Sequence, residues 1–308
     1  MLPGLPQQSL VRRGHLHRIG AGLRSGGMKT KLLTLALALL LAGCATHTGL
    51  AGSPKTTPEM DVGYAVQKDM RYTPDGWPAE LRADLWRPAI GGAKPAVLLI
   101  HGGGWVGGKR QHMDGIARRL ARRGYVVMNI SYRFAPQSRH PAQFEDARQA
   151  LRWLRANHAA LQVDPQRVAA WGYSAGAHLA SLLGAADTSP ADRVQAVVAG
   201  GIPADFRNYP DSPLIGKLMG TTLADDRAGW SAASPVLRVG RGSPPFFLYH
   251  GGWDRLVAVE NAEAMKAALD AADVPAELYV QRGLGHISAF LFDGGAVRAG
   301  TAFLDAKM

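Results

Sequence analysis

The sequence predicts an α/β fold, with a mostly parallel central sheet covered by helices on both faces. Three observations point there. Short, continuous apolar runs rich in β-formers recur along the chain, as strands buried on both faces require. Stretches with helical periodicity separate them, which is the order of right-handed βαβ crossovers. No self-similar period of roughly 20–50 residues is visible, so a solenoid or propeller is disfavoured.

The elements follow in order. Leu81 to Trp86 alternates in character and belongs to an antiparallel starting hairpin, and Ala96 to Ile100 is a buried strand. A glycine-rich turn leads to a helix over Gln111–Arg123, closed by Gly124. Tyr125–Ile130 is the next strand. Phe144, Ala147, Leu151 and Leu154 then recur at helical steps. Val168–Trp171 is a strand and Ala175–Leu183 an apolar helix; Val194–Val198, Phe246–Tyr249 and Ala276–Val280 supply further strands. Helices over Asn261–Leu269 and Ile287–Leu304 fill the later gaps. The segment from Pro203 to Gly242 is expected to form a small lid or rim, with Pro210, Pro213 and Trp230 as substrate contacts. In such sheets ligands bind beyond the carboxyl ends of the strands, so the chemistry belongs in loops directly after strands.

Composition is that of an ordinary globular protein: 308 residues, 47% apolar and 19% charged. The formal charge of +11 suggests nucleic acid until it is placed along the chain. Residues 1–43 hold Arg12, Arg13, Arg18, Arg24, Lys29 and Lys31 and no acid, and the remainder carries a dispersed net charge of +5. Dispersed helical pairs such as Arg118-Arg119 are solvated faces, so no nucleic-acid partner is expected.

From Met28 the chain reads as a basic stretch, the apolar run Leu32–Leu41, and then Ala42-Gly43-Cys44, the layout of an export signal. The apolar run is far shorter than the roughly 20 residues that span a bilayer. Leu41-Ala42-Gly43-Cys44 resembles the lipobox of bacterial lipoproteins, and Cys44 is the only cysteine, which also excludes an internal disulfide. That resemblance implies a lipid on Cys44 and export to a bacterial membrane. Thr46, in place of a retention-type aspartate, points to the outer membrane. The expected organisation is an upstream extension and removed signal over 1–43, a flexible tether over 44–61 and one catalytic domain over 62–308.

Gly172-Tyr173-Ser174-Ala175-Gly176 matches G-x-S-x-G with a strand before it and a helix after it. The turn is too tight for flanking side chains, hence the glycines, and Ser174 is presented at the positive end of a helix. His101-Gly102-Gly103-Gly104-Trp105 follows the strand ending at Ile100. Its glycines let backbone N–H groups face a developing oxyanion. Gly103 to Lys109 also fits the start of a phosphate-binding loop, but Arg110 stands where Ser or Thr is required.

These motifs, with Ser131-Tyr132-Arg133, resemble the hormone-sensitive-lipase and BD-FAE-like esterases of the α/β-hydrolase superfamily, over about residues 80–290. The resemblance implies the α/β-hydrolase fold and a serine carboxylesterase. It places the oxyanion donors at Gly103, Gly104 and Ala175. His286, in the glycine-rich loop after the last strand, is the expected base, with His250 as its rival. His250 opens a stretch similar to the family's H-G-x-x-D, which assigns the acid to Asp254; Glu260 and Asp205 are weaker rivals. Val257-Ala258 departs from the family's usual Val-Pro and touches loop rigidity rather than chemistry. Trp105 and Trp253 adjoin the two loops as candidate substrate contacts. The expected activity is hydrolysis of small ester substrates with short acyl or aryl groups, without metal or cofactor. Cleavage of amides on the same triad is the alternative.

Overall fold

Strand edges and helix faces account for the architecture of this computed structural model, which describes residues 45–49, 61–185, 187, 189 and 191–308. The strands are β1 (Ala45–Thr48), β2 (Tyr64–Arg71), β3 (Arg82–Pro88), β4 (Lys94–Ile100), β5 (Val126–Ile130), β6 (Val163–Tyr173), β7 (Ala196–Gly200), β8 (Phe246–Gly251) and β9 (Ala276–Gln281). They form one sheet in the order β1-β9-β8-β7-β6-β4-β5-β3-β2. Strands β4 to β9 pair in parallel, while β2, β3 and β1 join antiparallel at the two edges. All carboxyl ends of the parallel strands therefore face one way.

The helices are α1 (Asp114–Arg122), α2 (Ala142–Ala156), α3 (His158–Leu161), α4 (Ala175–Leu183), α5 (Pro213–Met219), α6 (Arg227–Ala232), α7 (Glu260–Ala271), α8 (His286–Leu291) and α9 (Gly294–Lys307). In β4, successive side chains point to opposite faces. Leu98 and Ile100 join Leu151, Leu179, Leu182 and Leu269 in one buried layer, and Val97 and Leu99 join Ile116, Leu120 and Phe303 in the other. A strand covered on both sides needs the continuous apolar run that the sequence carries.

Two expectations are corrected. The sequence predicts one helix over Ile287–Leu304, but α8 ends at Leu291 and α9 begins at Gly294. Between them Arg119 holds both carboxylate oxygens of Asp293 at 2.8 Å, which fixes the break against α1. The predicted flexible tether is ordered at its start. Ala45–Thr48 pair with β9 from Ala45↔Gln281 to Thr48↔Leu278. The His47 imidazole meets the Glu277 carboxylate at 2.8 Å and packs against Phe247 and Tyr279. An open edge of β9 would leave backbone groups unpaired, and β1 satisfies them. Residues 1–44 and 50–60, including the signal segment and Cys44, lie outside the described residues.

Candidate active site

Strand β6 turns into α4 at Ser174, whose backbone sits at φ 55°, ψ −121°. Few side chains tolerate that conformation, and the surroundings must enforce it. They do so by close approach. A Cβ on Gly172 would lie 2.1 Å from the Gly176 carbonyl, and one on Gly176 would lie 2.1 Å from the Ile100 carbonyl. Only glycine fits at either place. The Ser174 N–H donates to Gly200 O at 2.7 Å, and its carbonyl accepts from the His178 N–H at 3.0 Å. Both bonds fix the turn and leave the hydroxyl outward.

The loop after β9 carries His286 to that hydroxyl, with Nε2 2.9 Å from Ser174 Oγ. On the other side of the ring, Nδ1 is 2.6 Å from Asp254 Oδ2. A carboxylate accepts, so Nδ1 holds the ring proton and Nε2 is left to accept from the serine hydroxyl. Asp254 Oδ1 accepts from the N–H groups of Leu256 (2.9 Å) and Val257 (2.8 Å). Burial would raise the Asp254 carboxyl, but hydrogen bonds from His250, His286 and the Val257 N–H outweigh it and hold the group well below the usual carboxylate range.

The rivals are placed elsewhere. His250 is fully buried, with Nε2 2.8 Å from Val257 O and 3.3 Å from Asp254 Oδ2, so it braces the acid loop. Asp205 is paired with Arg207 at 2.8 and 2.9 Å, and Glu260 is exposed at the start of α7. Sequence reasoning missed one brace. The Tyr173 hydroxyl donates to the His286 backbone carbonyl at 2.5 Å, tying the x position of G-x-S-x-G to the base loop.

The glycine loop after β4 lies against the serine turn: a Cβ on Gly102 would be 3.2 Å from Ser174 Cβ. Gly103 (φ 128°) and Gly104 (φ 59°) take left-handed backbone conformations. The loop is held through its carbonyls, with Val106 N–H on Gly103 O (3.2 Å) and Ala135 N–H on Trp105 O (2.9 Å). Among the described residues the N–H groups of Gly103 and Gly104 donate to no protein acceptor. Leu214, from α5, lies over Gly104, 3.0 Å from where a Cβ would stand. The sequence carries no signal for that contact, because it depends on how the 203–242 segment folds back.

Trp105 is a correction. It was expected to line the substrate, but only 4% of it is exposed, and its ring packs edge-on to Phe206 and His178. Its indole N–H donates to His178 Nδ1 at 3.3 Å, while His178 Nε2 donates to Ala233 O at 2.8 Å. Trp230 is likewise fully buried in this small core, which also holds Ala175, Ile215 and Leu218. A large apolar ring beside a tight turn gains more from burial than from solvent. Trp253, by contrast, is 73% exposed beside Asp254. A cavity of about 490 Å³ lies between α2 and α6, lined by His140, Phe144, Ala232 and Arg238 among others and by none of Ser174, His286 or Asp254.

Several known proteins are similar to this chain in sequence or in fold. The BD-FAE family model matches residues 83–269. Esterase LipQ of Mycobacterium tuberculosis is 30% identical over 257 residues, covering 77% of this chain and 60% of its own length. Esterase LipC of the same organism is 32% identical over 244 residues, covering 72% and 60%. The chain thus spans 60% of the length of each of these two relatives. A truncated carbohydrate esterase from gut microbiota superposes with a TM-score of 0.73 at 23% identity, over 82% of this chain and 99% of that one. That likeness carries the fold.

Proposed function

This chain belongs to the BD-FAE family and has the α/β-hydrolase fold, and on that premise we propose that it is a carboxylic ester hydrolase using Ser174, His286 and Asp254. The observation that carries the reading is the continuous line of hydrogen bonds from Ser174 Oγ through His286 to Asp254, at 2.9 and 2.6 Å. Ser174 Oγ attacks the ester carbonyl carbon as its proton passes to His286 Nε2. The carbonyl oxygen becomes an oxyanion, received by the N–H groups of Gly103, Gly104 and Ala175. Collapse breaks the bond to the alcohol, which leaves with the proton from His286. Water, deprotonated by the same imidazole, then attacks the acyl-enzyme and releases the acid. Asp254 holds one tautomer of His286 and stabilises its charged form.

The substrates we assign are small esters with short acyl or aryl groups, including acetyl or feruloyl groups on plant polysaccharide. Leu214 over Gly104 restricts the space beside the oxyanion and supports short acyl groups. The lipobox around Cys44 supports an exported protein held at a bacterial membrane through a lipid on that thiol.

A panel of p-nitrophenyl esters, acetylated xylan and formyl-amides tests the reading, alongside fluorophosphonate labelling. We expect ester turnover and labelling to vanish together in Ser174→Ala, with a loss on the order of 10⁶-fold. A folded Ser174→Ala protein retaining a tenth of its turnover would overturn the serine mechanism.

A further inference from the structure

The chain enters the sheet at the end where the Ser174 site lies. Strand β1 runs antiparallel to β9, and its first residue, Ala45, pairs with Gln281, the last residue of β9. The loop that follows Gln281 delivers His286. Cys44 directly precedes Ala45 in the sequence, and Ala45 is already paired with β9.

The same end exposes apolar side chains. Seven large hydrophobic residues are exposed among the described residues, and five of them, Trp253, Leu256, Ile287, Leu291 and Phe292, flank Asp254 and His286. The two segments adjoin, since the Trp253 N–H donates to Leu284 O at 2.9 Å. Charge adds to the picture. The exposed charged residues of 252–256 and 282–292 are Arg255 and Arg282, whereas the acid of these segments, Asp254, is buried and bonded. Apolar side chains interleaved with arginines suit the headgroup and acyl boundary of an anionic bilayer. Among the described residues no helix is long and apolar enough to cross a membrane.

We propose that the face formed by Trp253, Leu256, Ile287, Leu291 and Phe292 rests on the lipid bilayer, so that the Ser174 site opens onto the membrane and takes esters dissolved in it. Its direction rests on the lipid-anchor reading of Cys44. Its surface rests on the exposed side chains alone. An exposed apolar patch beside a site calls for an occupant, and Ala45, which follows Cys44 in the sequence, is paired at the same end of the sheet.

The test uses the full chain, isolated from membranes and reconstituted into phosphatidylcholine–phosphatidylglycerol vesicles with brominated acyl chains. We expect quenching of tryptophan emission that is lost in Trp253→Phe, the exposed indole being the one in contact. Ile287→Glu/Leu291→Glu should slow hydrolysis of a vesicle-dissolved 4-dodecylphenyl acetate, a short acyl group on a lipophilic alcohol, by at least about tenfold, since burying one such side chain is worth that factor. Its hydrolysis of p-nitrophenyl acetate in solution should match the parent's, which also reports that it is folded. Unquenched Trp253, or equal rates of parent and double variant on the vesicle ester, overturns the proposal. So does a parent that is dimeric in detergent beside a monomeric double variant, which would make a second copy the occupant. Palmitate labelling of the parent against Cys44→Ser reads the anchor separately: vesicle contact without label removes the anchor and supports the face.

Discussion

The two rims of the Ser174 site are built on opposite principles. On the side proposed to receive the oxyanion, the loop after β4 is clamped by a small core in which Trp105, Phe206 and Trp230 are at most 4% exposed. On the acid and base side, the loops after β8 and β9 are positioned by polar bonds to Asp254 and His286, and their large apolar side chains face outward. Apolar packing dominates the first rim, beside two backbone hydrogen bonds to the loop carbonyls, and polar bonds dominate the second. Apolar rings of the first rim should therefore carry stability, while on the second the losses divide between chemistry at His286 and stability at the buried His250.

The largest expected effect lies on the polar rim. His286→Ala should cost on the order of 10⁴–10⁶-fold in turnover with little loss of thermal midpoint, and adding Ser174→Ala should cost little more, because triad members act as a unit. His250→Ala should do the reverse. Its ring is fully buried between Val257 O and Asp254, so stability falls and activity drops modestly. Turnover and midpoint for both variants decide the matter; a folded, active His286→Ala beside a folded, inactive His250→Ala would exchange their roles.

Next comes the packed rim. Trp105→Ala should destabilise by about 3–5 kcal/mol, the usual cost of emptying an aromatic site in a core. Trp253→Ala should leave the midpoint unchanged, because 73% of that side chain is already in solvent. Denaturant unfolding of the pair measures the contrast, and equal losses would erase the distinction between the rims.

The same contrast explains what could be read from sequence. Strands β4 to β9 were legible because burial on both faces demands largely apolar segments, broken here at a few positions such as Asn129 and Glu277. Ser174, His286 and Asp254 were legible because chain order and glycine spacing encode a tight turn and loops at strand ends. Trp105 and Trp253 were not separable, since both adjoin a motif and only the path of the 203–242 segment decides which is covered. Strand β1 was equally hidden: Ala45–Thr48 has the composition of a tether, and its order comes from the unpaired edge of β9.

A smaller effect probes where the rims meet the substrate. Gly104→Ala keeps a left-handed backbone at a modest cost but presses its Cβ on Leu214. Overpacking of this kind should reduce turnover on the order of tenfold. The Gly104→Ala/Leu214→Ala double variant should recover most of it, since the obstructing atoms are the far end of a flexible side chain. Failure to recover would mean that the backbone strain, rather than the crowding, is responsible.

The smallest effect concerns acid. On the packed side, burial lowers His178 to about 3 and His101 to about 4, from an ordinary value of 6.5. Both rings are neutral in the folded protein and take up protons first in the unfolded chain. The unfolded state therefore gains protons as pH drops below about 6.5, and stability falls through that window until the folded values are reached. Each histidine should cost about 1 kcal/mol by pH 5.5. Asp254 behaves differently, because its carboxyl is held low: its contribution stays intact above the ordinary carboxylate range and is lost only as pH falls further. His140, lowered by burial to about 4 beside the cavity between α2 and α6, adds to the same window, so between pH 6.5 and 5.5 the loss belongs to the three buried rings. Thermal midpoints of the parent should decline over that interval, and His178→Gln, which has no proton to gain, should decline less steeply from a lower starting value. A parent midpoint that stays flat from pH 7.5 to 5.5 would show that none of the buried rings is kept neutral by the fold.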